Sequence, residues 1–114
     1  SIAAALETSM TRRIEILAEA AREAAEAARW YERERPGLGA EFEAAVDVAL
    51  DLLADNPAPS VPAAGSAANR GVRRVILRRF PFDLVFVHSH ALVRVIAFAH
   101  HSRRPGYWRR RLRT

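Results

Sequence analysis

The residues best equipped for chemistry lie together near the end of this 114-residue chain, in V-I-A-F-A-H-H-S-R-R-P-G-Y-W from Val95 to Trp108. An imidazole such as that of His100 or His101 is the side chain that exchanges protons near neutral pH. The guanidinium of Arg103 or Arg104 is a planar fork that suits phosphate and carboxylate and also stacks on aromatic rings. After the Pro105-Gly106 turn, Tyr107 and Trp108 can stack on a base or a protein surface, or cap a core. A second basic run, V-R-R-V-I-L-R-R, adds Arg73, Arg74, Arg78 and Arg79. Proton transfer, anion binding and stacking are thus all on offer. Metal chemistry is not expected: adjacent histidines without a third histidine or a carboxylate at ligand spacing match no zinc pattern, and the chain has no cysteine to supply a thiolate. No cofactor is implied.

These groups need a scaffold. Leu92 to Ala99 carries one charge, Arg94, among Val, Ile, Phe and Ala, which fits a strand buried on both faces. If that strand continued through the histidines, His100 and His101 would face opposite sides. Asp83 to Val87 reads as the preceding strand, joined through His88-Ser89-His90, where both histidines are turn residues. Val72 to Arg79 reads as a strand before that, with Phe80-Pro81-Phe82 as the turn. Arg12 to Leu17 alternates, placing Ile14 and Ile16 on one face of a short first strand. From Ala18 the period becomes helical, with Ala20, Ala24, Ala27 and Tyr31 inward, Trp30 widening the stripe, and Glu19, Arg22, Glu23, Glu26 and Arg29 outward. Pro36-Gly37 ends this helix. A second one carries Phe42, Val46, Ala49 and Leu53 inward and stops at Asn56-Pro57. Residues 58–71 have no period and read as a long loop. The order is β-α-α-β-β-β, an α+β fold with a helix hairpin packed on a small, mainly antiparallel sheet whose first strand pairs at an edge.

Met10 is the only methionine and reads as the natural start, with residues 1–9 a remnant ahead of one domain spanning residues 10–114. No apolar run reaches the ~20 residues that cross a bilayer, so no membrane partner is expected, and the cytoplasm is the simplest location. Charge is strongly segregated. Residues 1–60 hold 12 acids and 6 arginines, residues 61–114 hold 12 arginines and Asp83 alone, and lysine is absent throughout. A cationic half implies a nucleic-acid, ribosomal or acidic-protein partner. Arg109, Arg110, Arg111 and Arg113 read as a solvated tail.

Three phrases carry a family likeness: E-A-A-R-W-Y-E-R-E-R-P-G-L-G-A-E-F ending at Phe42 and followed by Asn56-Pro57, then V-R-R-V-I-L-R-R-F-P-F, then the ending at Trp108. In this order and spacing they resemble the RelE/ParE superfamily of type II toxin–antitoxin toxins, the plasmid stabilisation proteins. The resemblance implies a toxin neutralised by a cognate antitoxin, with Arg73, Arg74, Arg79, Arg103, Arg104, Tyr107 and Trp108 as the surface for target or antitoxin. Two activities come with it. A ParE-like toxin inhibits DNA gyrase by binding. A RelE-like toxin is a metal-independent, ribosome-dependent mRNA endonuclease, which here would use Arg74 or Arg79 on the phosphate and His100 and Tyr107 as acid–base groups. The RelE lysines are missing, as is any acid between Asp55 and Asp83. The His100-x-x-Arg103-Arg104 ending is closer to the ParE side. A non-toxic, basic nucleic-acid-binding module is the remaining alternative.

Overall fold

In the computed structural model, residues 11–63 and 70–113 are described; the proposed remnant at residues 1–9 lies outside them. Strand β1 (Arg13–Ile16) leads into helix α1 (Ala18–Glu34) and helix α2 (Leu38–Asp55), followed by β2 (Val61–Pro62), β3 (Arg73–Ile76), β4 (Phe82–His88), β5 (Leu92–His100) and a short 3-10 helix (Arg109–Arg113). The sheet order is β1-β5-β4-β3-β2. β1 is parallel to β5 at one edge and every other pairing is antiparallel, so the chemistry-bearing strand is interior.

The hairpin owes its tightness to residues at its bend. Gly37 has φ +90°, a left-handed conformation that glycine adopts without a Cβ penalty. No side chain of its own caps α2. Instead Glu32, at the end of α1, accepts hydrogen bonds from the backbone N–H of Gly37 (3.0 Å) and Gly39 (3.0 Å), so one carboxylate meets two of the donors a helix start leaves open. At Gly39 a Cβ would sit 2.6 Å from the Ala28 carbonyl oxygen, so the two helices approach backbone to backbone. Between hairpin and sheet lies an aromatic core in which Phe42 is edge-on to Phe80 and Phe82, with ring centres 5.2 Å apart in both pairs, and Tyr31 packs over all three. Trp30 does not join the inward stripe: it is 51% exposed.

Three expectations need correction. The basic strand is shorter than Val72 to Arg79, because Phe80 and Phe82 must both turn into the helix-side core; Arg78 and Arg79 fall in the resulting turn, with Arg79 at φ +70°. Within the stretch read as a structureless loop, Val61 and Pro62 pair with Arg74 and Arg73. The arginine tail is a 3-10 helix, and Arg111 in it is enclosed rather than solvated, with only 15% of its side chain exposed.

β5 is buried on both faces, as its composition suggests, because a second core of Ala63, Val72, Val85, Ile96, Ala97, Ala99 and Trp108 covers the side away from the helices. The strand changes face once. Val85 pairs with Ala97 and Phe86 with Val95, leaving Ile96 as the extra residue of a β-bulge. Val93 and Val95 lie under the helices, Ile96 and Ala97 both belong to the opposite core, and Phe98 returns to the helix side. His100 follows Phe98 and meets the Phe82 ring edge-on at 5.0 Å. Without the bulge, strict alternation would put it on the other face.

Candidate functional site: a cationic cleft at the end of the central strand

At its C-terminal end β5 stops at His100 and the chain turns back, with the Arg103 N–H donating to the His100 carbonyl at 2.9 Å and the His101 N–H to Pro81 at 2.8 Å. His100 Nδ1 accepts from the Ser102 N–H at 3.0 Å, which restrains its ring. The alternation holds through the pair: the His100 ring lies on the helix side against Phe82, His101 reaches Asp83 on the opposite side, and both residues border one cleft at the strand's end. This cleft, about 360 Å³, is bounded by Arg74, Ile76 and Asp83 from β3 and β4 and by Arg103, Arg104 and Tyr107 from the final loop.

Asp83, the sole acid of the basic half, is fully engaged. Arg74 Nη1 lies 3.3 Å from its Oδ2 and His101 Nε2 lies 3.0 Å from its Oδ1. Arg103 and Arg104 are exposed and have no ion pair among the described residues. The Arg103 guanidinium instead lies 3.8 Å from the centre of the Tyr107 ring. The cleft thus presents two uncompensated cations beside an internally neutralised Asp83, an arrangement suited to anionic oxygens.

Beside it sits a half-buried network that the sequence did not signal. Glu23, expected on the solvated face of α1, accepts from the Tyr107 hydroxyl at 2.5 Å, from the Phe98 N–H at 3.1 Å, and from both Arg111 guanidinium nitrogens at 2.9 and 3.1 Å. Arg111 Nη1 also donates to the Ile96 carbonyl at 3.1 Å. β1 ends opposite Val95, so the Phe98 N–H and Ile96 carbonyl have no strand beyond it to pair with. Glu23 and Arg111 complete the ladder with side chains, meeting the need of buried backbone groups for partners. Desolvation, then the hydrogen bond to Glu23, pushes the Tyr107 hydroxyl far above the ordinary phenol range. Tyr107 is thus held as a hydrogen-bond donor to Glu23.

The other expected residues scatter. Trp108 is 5% exposed and anchors the second core, touching the cleft only as part of its wall. Arg73 is spent on the chain after α2: its Nε donates to Ser60 Oγ at 2.6 Å and its Nη2 to the Ser60 carbonyl. Arg79 pairs with Glu41 at 2.8 Å and lines a separate groove of about 690 Å³ between α2 and β3, where Val48, Leu52 and Ile76 are more than half exposed. The structure does not bring Arg79 to His100. Among the described residues no group of three or more His, Cys, Asp or Glu could hold a metal ion, and no helix is long and apolar enough to cross a membrane.

A solved structure described as a chromosomal ParDE TA system from P. aeruginosa has the same fold, with a TM-score of 0.66 and 15% sequence identity, covering 81% of this chain and 97% of that one. The profile of the family described as ParE toxin of type II toxin-antitoxin system, parDE, matches residues 14–105, and the chain belongs to that family. No curated protein sequence matches it.

Proposed function

We propose that this chain acts in the cytoplasm by binding DNA gyrase through the cationic cleft, and that a cognate antitoxin silences it. The observation that carries the reading is the pair of exposed arginines, Arg103 and Arg104, which have no ion pair among the described residues and sit on a loop tied into the fold. Such groups recognise an acidic surface without any bond being made or broken. The nuclease alternative asks for Tyr107 as a proton carrier and for Arg74 or Arg79 on the phosphate beside His100. Tyr107 is bonded to Glu23, Arg79 lies in another groove, and Arg74, which does border the cleft, is paired with Asp83, an arrangement that favours binding over cutting. For the antitoxin, the exposed Val48, Leu52 and Ile76 with Arg78 and Arg79 at the rim suit a segment that is both apolar and acidic.

Inducible expression of paired variants tests this. His100→Gln removes the titratable ring but keeps a hydrogen-bonding group, and growth arrest is expected to persist. Arg104→Ala is expected to relieve arrest while antitoxin affinity survives. Loss of toxicity in His100→Gln, together with cleaved mRNA in the parent, would favour the endonuclease.

A further inference from the structure

Arg103 is an exposed arginine on a surface loop, where such a side chain ordinarily samples many rotamers. Here it has a support. Its guanidinium stacks 3.8 Å from the centre of the Tyr107 ring, the Tyr107 hydroxyl is bonded to Glu23, and Glu23 is fixed in turn by Arg111 and the Phe98 N–H. The backbone beneath is tied as well, through Arg103 N–H to His100 O and Tyr107 N–H to Arg104 O. Because Glu23 is matched by Arg111, its charge is not drawn to Arg103, which keeps the outer cation free for a ligand.

We propose that Glu23 and Tyr107 are positioning residues that pre-organise Arg103 to receive a carboxylate on an acidic protein surface. The proposal rests on the cleft being the face turned to the target. A protein carboxylate is favoured over nucleic acid because the two aromatics that could stack on bases are already committed: one face of Tyr107 is covered by Arg103, and Trp108 is buried in the second core. What remains is a planar fork at fixed height above the cleft floor, which suits bidentate carboxylate binding. Fixing a rotamer before contact lowers the ordering cost of association and favours a slower release of the partner.

The test joins one spectroscopic readout to one functional readout on the full chain. With arginine side chains labelled with ¹⁵N, the Arg103 Nε–H resonance should be shifted upfield by the Tyr107 ring current. Tyr107→Phe keeps the ring but loses the bond to Glu23, and should fall between the parent and Tyr107→Leu in both the shift and the growth arrest; a Tyr107→Phe equal to the parent in both would remove Glu23 from the platform. Tyr107→Leu loses the stack and should weaken toxicity about tenfold in the inducer needed for half-arrest, a fold-change within the range of a cation–π contact. Arg103→Lys keeps the charge but not the planar fork and should weaken toxicity as well. Arg103→Ala, at an exposed position, guards against variants that fail to fold. An unshifted Arg103 resonance in the parent, or Tyr107→Leu as potent as the parent, overturns the platform. A shifted resonance beside a fully toxic Arg103→Ala overturns the reading of the cleft instead, and the carboxylate partner with it. Arg103-dependent binding of a single-stranded RNA oligonucleotide would assign the fork to phosphate and overturn the acidic-protein partner.

Discussion

At the scale of the residue, Glu23 and Tyr107 decide how the cleft behaves. Burial and the Glu23 hydrogen bond hold the Tyr107 proton on in the folded chain, and burial also pushes the Tyr31 hydroxyl up. Above the ordinary phenol pKa of about 10 the unfolded chain has released protons that the folded chain keeps, so the unfolded state binds fewer protons and stability falls as pH rises. The full contribution is present below pH ~10 and is lost progressively above it. Tyr107→Phe is expected to flatten most of that alkaline slope, leaving a residue from Tyr31; denaturant midpoints on either side of pH ~10, with phenolate absorbance followed in parallel, check this. Arg111→Met leaves the half-buried Glu23 without its countercharge, and the expected loss is ~1–3 kcal/mol, below the range for a fully buried pair. The same experiment at Arg110, which is exposed and has no ion pair among the described residues, should register almost nothing.

Elements show where sequence reasoning reaches and where it stops. The helix hairpin, the β4–β5 hairpin and the edge position of β1 are legible because period, breakers and short connections are local signals. The bulge at Ile96 is not, since V-R-V-I-A-F-A is apolar throughout and nothing in it marks where one residue is to be left unpaired. The placement of His100 follows from that bulge, so its face could not be read off by alternation. Glu23 was invisible for another reason: its partners lie 75 to 88 residues away, and on the helix it is one acid in an acidic stripe. By contrast the bend P-G-L-G could be read as a bend but not as a cap, because the capping carboxylate of Glu32 comes from the preceding helix. Gly39→Ala drives a methyl into the Ala28 carbonyl and is expected to cost ~1–3 kcal/mol, while Glu32→Ala loses the cap at ~0.5–2 kcal/mol; both are read from denaturant midpoints at unchanged slope.

Across the whole molecule, the segregation of charge along the chain is partly undone by folding. Glu15, Glu23 and Glu41 from the acidic half pair with Arg94, Arg111 and Arg79 from the basic half. The need for an outside anion is therefore narrower than the sequence suggests, and Arg103 and Arg104 are the exposed arginines that meet it at the cleft. Antitoxin or target recruited by such a patch should associate more slowly as salt rises, since the Debye length is already ~10 Å at 0.1 M. Stopped-flow association rates between low and moderate salt check this, and a rate indifferent to salt would assign recruitment to the apolar groove along α2. The central claim, a ParE-family toxin that disables its target by docking, meets its most direct test in a supercoiling assay with purified gyrase, run beside a ribosome-dependent mRNA cleavage assay. The account predicts that the chain blocks supercoiling, that Arg103→Ala and Arg104→Ala relieve the block, and that mRNA stays intact. Undisturbed supercoiling together with mRNA cut in the ribosomal assay would contradict it.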